Sequence, residues 1–502
     1  MFFKTGLFAA LLLVEVVDIC SADQVQIFLR AVNTRLDGIG GETLTTGFGK
    51  NLRGCFAECE SEVGDLKSVE YKDDDSECVC SEVEADAGDM VEATGVSLFY
   101  YSETFDNAKL YRVELGDELE PRKDVPYALL IDGQNKDSLG TKEDLDKDSC
   151  LRYGDKLGAR NVILQGEEDD EKDCIAYRSS MENQVKLFYR YVDQTLDGNS
   201  DKVDLVAPAD GYESLRQCMA LCSQQVGPLG SVEYTDNTYC SCSEKDTFDG
   251  LSLVAQAGVS YFELGKTFHD AQLYRVEKQN QVMPADGANY ALLINGNQKT
   301  EMGVEAEVNN TDACMRYGDK LGSRNVIVQG RDWPRKCLAL RSEGDNQVKL
   351  FNRGVNKVLE GNNDVEFTDG FNSLQSCMAL CANEIGPLGS VEYSDEGDSC
   401  ICSEKDEFDA SVVAQTGYSL FQFGKTYHDA QLFRVEKGVV VPPADGLPYA
   451  LLINGQNKEN LGVAIDITSD ELCMRYGDKL GSRNVIVQGR DEDDGKKCIA
   501  AR

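Results

Sequence analysis

The fold is decided by the stretch SLRQCMALC at residues 214–222, which is followed by SVEY at 231–234 and CSC at 240–242. In the first stretch the apolar residues and both cysteines recur at helical spacing, and Ser214 is suited to the N-cap, so the pattern predicts a short helix. The two following stretches predict strands. Together they predict a small α+β subdomain in which disulfides join a helix to a sheet.

The same pattern occurs three times along the 502-residue chain, which predicts three tandem disulfide-stapled repeats. Each repeat is long enough to bury its own core, and a proline-containing segment divides it into two small subdomains. We predict an α+β fold with mainly antiparallel strands and a short helix. The predicted boundaries are 1–22 for a signal peptide, 23–182 for repeat 1 (front 23–116, back 117–182), 183–345 for repeat 2 (front 183–280, back 281–345) and 346–502 for repeat 3 (front 346–438, back 439–502).

The first 22 residues have the composition of a signal peptide. Lys4 is followed by an apolar run from Gly6 to Val17, and small residues at Ser21 and Ala22 suit cleavage. The apolar run is too short to span a bilayer. We therefore expect a secreted protein, extracellular or at the cell surface, without membrane insertion.

The formal net charge of the chain is −38. Such a surface repels nucleic acid and anionic membranes, since both require basic patches on a protein partner. An extracellular glycan or glycoprotein is the expected partner, together with cations or basic proteins, and nucleic acid is not.

The cysteines of each repeat form three pairs by spacing. A helix pair lies one turn apart and a strand pair lies on one side of a strand, so neither favours a bond within the pair. We expect the helix pair to bond to the strand pair, in an order that the sequence leaves open, and the last two cysteines to bond to each other. A zinc site with four thiolates is the alternative, which an oxidising compartment disfavours. The helix pairs are Cys55 and Cys59, Cys218 and Cys222, and Cys377 and Cys381; the strand pairs are Cys78 and Cys80, Cys240 and Cys242, and Cys400 and Cys402; the last pairs are Cys150 and Cys174, Cys314 and Cys337, and Cys473 and Cys498.

The front part of each repeat resembles the first half of a WSC domain, a secreted carbohydrate-binding module. The resemblance rests on the cysteine pair after Ser214, on SVEY at 231–234 and on Cys240 and Cys242. A WSC domain has eight cysteines and a Cys-x-Cys-Gly-Asn turn, whereas Ser243 follows here and the later cysteines are missing. The arrangement is also similar to PAN/Apple modules, which bind proteins or sugars. Either resemblance implies a binding module, and the back part resembles no family.

Two recurring motifs supply the candidate ligand-binding residues. The first is RYGDKLG, whose arginine and tyrosine offer hydrogen bonds and a stacking face to a sugar; the alternative is a structural helix end that stops at glycine. The second is the Glu-Tyr pair of the SVEY strand, in which alternation buries one residue of each pair. The candidates are Arg152, Tyr153, Arg316, Tyr317, Arg475 and Tyr476 from the first motif, and Glu70, Tyr71, Glu233, Tyr234, Glu392 and Tyr393 from the second.

The sequence gives no indication of an enzyme. The chain has two histidines, His269 and His428, and Asp106 stands at the matching position of repeat 1, so a triplicated proton shuttle is not expected. No catalytic residue is therefore predicted.

We predict no cofactor, with calcium as the one ion to consider. Asp144, Asp146 and Asp148 have the alternating carboxylates of a calcium loop, although Ser149 stands where such a loop needs glycine. Asn309 begins the glycosylation sequon Asn-Asn-Thr, which is consistent with a secreted surface.

These observations lead to the hypothesis of a secreted multivalent binding or adhesion protein that engages extracellular polysaccharide or glycoprotein. The alternative is an acidic structural protein of the extracellular matrix, the cell surface or a mineral, with weak calcium association. Tandem presentation would multiply weak sites in the first case and would lengthen a spacer in the second.

Overall fold

The structure is a computed structural model, and it describes residues 24–38, 41–44, 51–72, 77–84, 90–119, 128–130, 139–142, 144–166, 172–178, 183–205, 214–235, 238–282, 290–293, 305–330, 334–341, 346–361, 365–406, 410–441, 449–452, 465–489 and 496–501. The chain divides into two compact bodies, Met1–Met181 and Glu182–Arg502. The first body holds one repeat-like unit, and the second body holds two more. We refer to 24–178, 184–341 and 347–501 as the first, second and third units.

Each unit has two helices of 11 residues within its described part. The N-cap side chain of every helix accepts a hydrogen bond from the backbone N–H three residues later, as Ser214 does from Gln217. The second helix of each unit ends at a glycine in the left-handed conformation, such as Gly322 with φ of 80°, which a side chain would strain. The helices are α1 (Leu52–Glu62), α2 (Lys147–Leu157), α3 (Leu215–Gln225), α4 (Thr311–Leu321), α5 (Leu374–Glu384) and α6 (Asp470–Leu480).

The strands follow the same order in each unit. In the first unit they are β1 (Gln24–Leu36), β2 (Glu42–Leu44), β3 (Ser68–Lys72), β4 (Cys78–Ser81), β5 (Met90–Asp106), β6 (Ala108–Arg112), β7 (Asp117–Glu118), β8 (Ala128–Leu130), β9 (Leu139–Lys142), β10 (Ala159–Gln165) and β11 (Asp173–Arg178). In the second unit they are β12 (Gln184–Leu196), β13 (Val203–Asp204), β14 (Ser231–Thr235), β15 (Tyr239–Ser243), β16 (Leu253–His269), β17 (Ala271–Arg275), β18 (Asn280–Gln281), β19 (Tyr290–Leu293), β20 (Glu305–Val308), β21 (Ser323–Gln329) and β22 (Arg335–Arg341). In the third unit they are β23 (Gln347–Leu359), β24 (Val365–Phe367), β25 (Ser390–Ser394), β26 (Cys400–Ser403), β27 (Val412–His428), β28 (Ala430–Arg434), β29 (Val439–Val440), β30 (Tyr449–Leu452), β31 (Ile465–Ile467), β32 (Asn484–Gln488) and β33 (Lys496–Ala501).

These strands form a six-stranded sheet and a five-stranded sheet in each unit. In the second unit the first sheet has the order β13-β15-β14-β16-β12-β19, and the second sheet has the order β18-β17-β21-β22-β20. The ladders are antiparallel except for β12 with β19, which is parallel. The mainly antiparallel α+β layout in three repeat-like units agrees with the predicted fold class.

Three apolar layers hold the second unit together. Helix α3 buries Met219 and both of its cysteines against Phe188 and Phe262 of the first sheet. The opposite face of that sheet packs on the second sheet, where Leu187 meets Ile327. Helix α4 covers the outer face of the second sheet. In the second unit each sheet thus packs against another layer on both of its faces.

Disulfides join the helices to the strands in all three units. The first cysteine of each helix pair bonds to the first of the strand pair, and the second bonds to the second, which resolves the order that the sequence leaves open. Loops of this size contribute on the order of 3 kcal/mol each. The bonds are Cys55–Cys78, Cys59–Cys80, Cys150–Cys174, Cys218–Cys240, Cys222–Cys242, Cys314–Cys337, Cys377–Cys400, Cys381–Cys402 and Cys473–Cys498.

One predicted strand pairing is wrong. From the sequence alone, a closing strand at 271–276 could pair with the opening strand of the repeat, but β17 pairs with β21 in the second sheet. The reason is Asp270, whose φ of 50° turns the chain out of the long strand β16 directly into the other sheet. Conversely, β19 returns to the first sheet beside β12. The chain therefore passes from the first sheet to the second after β16, returns to the first at β19 and enters the second again at β20.

Some predicted segments lie outside the described residues. These are the signal peptide at 1–22 and the proline-containing connectors at 120–126, 283–284 and 442–443. Among the helices that are described, none combines the length and apolar character needed to cross a membrane.

Candidate binding site

The glutamates of the Glu-Tyr pairs accept hydrogen bonds from the backbone of their own unit. The Glu392 carboxylate is 3% exposed and accepts the Leu359 N–H at 2.7 Å. Glu233 accepts the Leu196 N–H at 3.2 Å and the Thr195 hydroxyl at 2.5 Å. Each glutamate thus ties the end of the opening strand to the SVEY strand, across the long strand that lies between them in the sheet, and none of the three is arranged as an exposed ligand group.

The tyrosines of the same pairs lie on the opposite face of the sheet, the face that also carries the first helix of each unit. Tyr393 is directly across from Ser419, which is in turn across from Val355 on β23. The same three-residue row recurs in every unit by strand register. The rows are Tyr71, Ser97 and Val32; Tyr234, Ser260 and Val192; and Tyr393, Ser419 and Val355.

An arginine lies beside each row, and sequence reasoning missed all three. Arg353 donates from Nε at 3.2 Å and from Nη2 at 2.8 Å to the Ser419 hydroxyl, and its guanidinium lies 5.7 Å from the centre of the Phe421 ring. The contact fixes a planar donor group over an aromatic face, which is a favourable position for a cation. The equivalent arginines are Arg30 on Ser97 and Phe99, and Arg190 on Ser260 and Phe262, at the same ring distance of 5.7 Å.

Next to each row, one residue of the opening strand has a left-handed backbone conformation. Asn356, with φ of 53°, follows Val355, and its side-chain oxygen accepts the N–H of Gly417 at 3.3 Å. The ladder between β23 and β27 shifts register at this point. The bulge bends the strand pair and leaves Val355 41% exposed beside the half-buried Arg353. Asn33 with Gly95, and Asp193 with Gly258, form the same contact in the other units.

We call each arginine with its row an arginine patch. The guanidinium supplies hydrogen-bond donors, the exposed valine supplies an apolar contact, and the tyrosine forms a mostly buried floor. This combination suits a ligand with hydroxyl or carboxylate oxygens on one side and an apolar face on the other. The patches are Arg30, Tyr71, Ser97 and Val32; Arg190, Tyr234, Ser260 and Val192; and Arg353, Tyr393, Ser419 and Val355.

The RYGDKLG motif has a different role in the second unit. Arg316 donates to the Asp406 carboxylate at 2.9 and 3.1 Å, and it also donates to the carbonyl oxygens of Phe423 and Gly424. Lys320 reaches the same carboxylate at 3.2 Å. Because the Asp406 side chain is fully buried, these two cations neutralise it, and the motif joins the second unit to the third.

Further contacts surround this joint. The Asp319 carboxylate accepts the Thr426 N–H at 3.0 Å, and Lys349 donates to the Lys320 carbonyl oxygen at 2.7 Å. Burial and the nearby Glu404 carboxylate raise the pKa of Tyr317 to about 12. Arg316 and Tyr317 are thus structural residues of the joint.

The other two copies of the motif lie in different surroundings. In the first unit Arg152 forms an ion pair with Asp155 at 3.5 Å, and the Lys142 ammonium lies over the Tyr153 ring at 5.6 Å. In the third unit the Arg475 side chain is 70% exposed and pairs with Glu471. Tyr476 packs against the core beneath α6.

The calcium candidates lie at the beginning of α2. Asp146 is the N-cap, and its carboxylate accepts the Ser149 N–H at 2.8 Å. Asp144 precedes it with φ of 60°, and Asp148 lies in the first helical turn. In the described part of the chain, the side chains grouped closely enough to share a metal ion are cysteine clusters, and those cysteines form disulfides.

The remaining polar candidates are placed as follows. Asn309 is exposed in the turn before α4, where Asn310 is the N-cap. His269 and His428 are 3% and 2% exposed, so neither is presented at the surface.

Comparison with known proteins gives no family for this chain. No protein-family model matches it, and no curated protein matches it in sequence.

Proposed function

We propose that the chain is a secreted multivalent binding protein built from three tandem repeats of one module, and that its arginine patches engage extracellular polysaccharide or glycoprotein. The observation that carries the proposal is the recurrence of one half-exposed cluster in all three units, with the same arginine-to-serine bonds and the same 5.7 Å ring distance. Its chemistry is that of binding: each patch combines a guanidinium donor, an aromatic ring and an exposed apolar side chain. The nine disulfides support a secreted location, since such bonds persist in oxidising compartments.

The charge pattern favours a glycan over a polyanion. The chain as a whole repels anions, so the arginine of each patch is better matched to a neutral or weakly acidic sugar. The resemblance of the front subdomains to WSC domains points to the same class of ligand. Three weak sites on one chain bind a repeating polymer far more tightly than one site does.

The test is retention of the full chain on immobilised polysaccharides, compared with Arg→Ala variants of the patches. R30A/R190A/R353A should lose retention, and each single variant should weaken the apparent affinity by about tenfold because one of three sites is lost. R216A removes an exposed arginine on α3 and is the matched control, with retention unchanged. Equal retention of the triple variant and the wild type would exclude the patches as the binding site.

The joint between the second and third units favours a second candidate function, an acidic structural protein of the matrix with weak calcium association. Arg316, Lys320 and Asp406 fix these two units to each other, as a spacer requires. This function predicts that added calcium increases the mass seen by light scattering and that the patch variants assemble as the wild type does. Scattering that does not change with calcium would contradict it.

A further inference from the structure

The joint consists of a plug on one unit and a socket on the next. We define the plug as Arg316, Asp319 and Lys320 of α4, and the socket as Gly389, Asp406 and Phe423 of the third unit. The Arg316 guanidinium lies 4.7 Å from the centre of the Phe423 ring while it bonds to Asp406. Cation, carboxylate and ring thus form one closed contact.

A close backbone contact requires glycine at position 389 of the socket. A Cβ atom on Gly389 would lie 2.2 Å from the carbonyl oxygen of Glu404, so only glycine lets the segment that carries Asp406 pass this close. Gly389 thus allows the close backbone approach that positions the segment carrying Asp406.

The plug is repeated on α6 of the third unit. Residues 475–481 have the same sequence, RYGDKLG, as residues 316–322. On α6 the plug residues Arg475, Asp478 and Lys479 are all exposed, whereas Lys320 of the occupied plug is 6% exposed. The third unit thus presents a complete plug at its surface.

The socket of the first unit is altered at all three positions. Lys67 replaces Gly389, Glu84 replaces Asp406 and Tyr101 replaces Phe423. The backbone confirms the equivalence, since Lys67 donates to the Ser81 carbonyl and accepts from the Tyr101 N–H, as Gly389 does with Ser403 and Phe423.

Lys67 takes the place of the incoming arginine. Its ammonium lies 4.5 Å from the centre of the Tyr101 ring, 3.2 Å from the Asp65 carboxylate and 4.0 Å from the Glu84 carboxylate. Glu84 itself is 76% exposed, in contrast to the fully buried Asp406. The ring that would receive the guanidinium of another chain is already covered by a cation of the same charge.

We propose that Lys67 is a built-in end cap, which keeps the first unit of this chain from accepting the exposed plug of a second copy. A plug that meets a socket on another copy forms a heterologous contact, and such contacts propagate into open chains unless one end is closed. The inference is independent of the ligand proposed above.

The test restores the socket in the full chain and follows its mass by analytical ultracentrifugation at 0.15 M salt. The wild type should sediment as a single chain at all concentrations. K67G/E84D should self-associate, with a weight-average mass that rises with concentration to at least about twice that of one chain. K67G/E84D/R475E should return to the mass of one chain, because the plug then carries the wrong charge.

Two controls test whether self-association depends on the socket and not on net charge or misfolding. K109A removes one lysine from the second sheet of the same unit, so it changes the net charge without touching the socket, and it should remain a single chain. Circular dichroism and a free-thiol assay should show that every variant is folded with its disulfides formed. A folded K67G/E84D that remains a single chain would overturn the proposal, as would self-association of the wild type or association that persists with R475E.

Discussion

At the scale of single residues, the glutamate of each Glu-Tyr pair shows how burial changes the role of a charged group. Glu70 is half-buried and accepts the Leu36 N–H at 2.7 Å. Burial raises the pKa of Glu70, and the Leu36 N–H opposes part of that rise. The residue that looks most like a ligand group in the sequence is therefore a strand clamp.

The raised pKa of Glu70 predicts a pH dependence of stability. The folded chain holds the proton more tightly than the unfolded chain, so the free energy of unfolding should rise as pH falls through the folded pKa and level off below the unfolded value of about 4.3. E70Q keeps an oxygen for the Leu36 N–H and removes the titration. As pH falls from 7 to 4, the melting temperature of the wild type should therefore rise relative to that of E70Q. Parallel profiles of melting temperature against pH would contradict a raised pKa of Glu70.

At the scale of elements, local chemistry was predictable from the sequence and long-range pairing was not. The helix over 214–222 follows from its cap and apolar spacing, and alternation in SVEY gives the strand. The partner strand of residues 271–275 depends on the turn at Asp270, which strand propensity does not reveal.

The arginine patches likewise could not be predicted from the sequence. The signal was an arginine at one position of each opening strand, but its serine partner lies 66 to 70 residues further on and is set by strand register.

The start of α2 gives a prediction that separates a helix cap from a calcium loop. Hydrogen bonds from Ser149 lower the pKa of Asp146, so the cap is present at neutral pH and is lost as pH falls through the folded pKa. D146A should destabilise α2 by about 1 kcal/mol, whereas D146N should retain the cap because asparagine is an equally good N-cap. Hydrogen exchange of the α2 amides measures the effects of D146A and D146N on the stability of this helix. The control is D148N. Calcium-dependent protection that D146N abolishes would instead support a calcium loop.

At the scale of the whole molecule, the joint makes the second and third units depend on each other. The buried Asp406 carboxylate is compensated by Arg316 and Lys320 of the preceding unit. Removal of one partner leaves a buried charge under-compensated, which is far more costly than losing an exposed ion pair.

Arg316 and Arg475 form a matched pair for testing this coupling, because they occupy the same position of the same motif. R316A should destabilise the third unit by about 3 kcal/mol and split the unfolding of 182–502 into two calorimetric transitions. R475A should cost less than about 0.5 kcal/mol, since it removes only an exposed pair with Glu471. Equal effects of the two substitutions would show that the joint does not couple the units.

The return of β19 to the first sheet sets an order of events during synthesis. Strand β12 begins at Gln184, yet its parallel neighbour starts at Tyr290, after the second sheet has received β17 and β18. While the chain is being extruded, Cys218 and Cys240 are available for oxidation long before that edge of β12 is covered. The edge of β12 therefore stays unpaired in the nascent unit until β19 is synthesised. In a chain truncated before residue 290 that edge would stay exposed and could pair with strands of other chains.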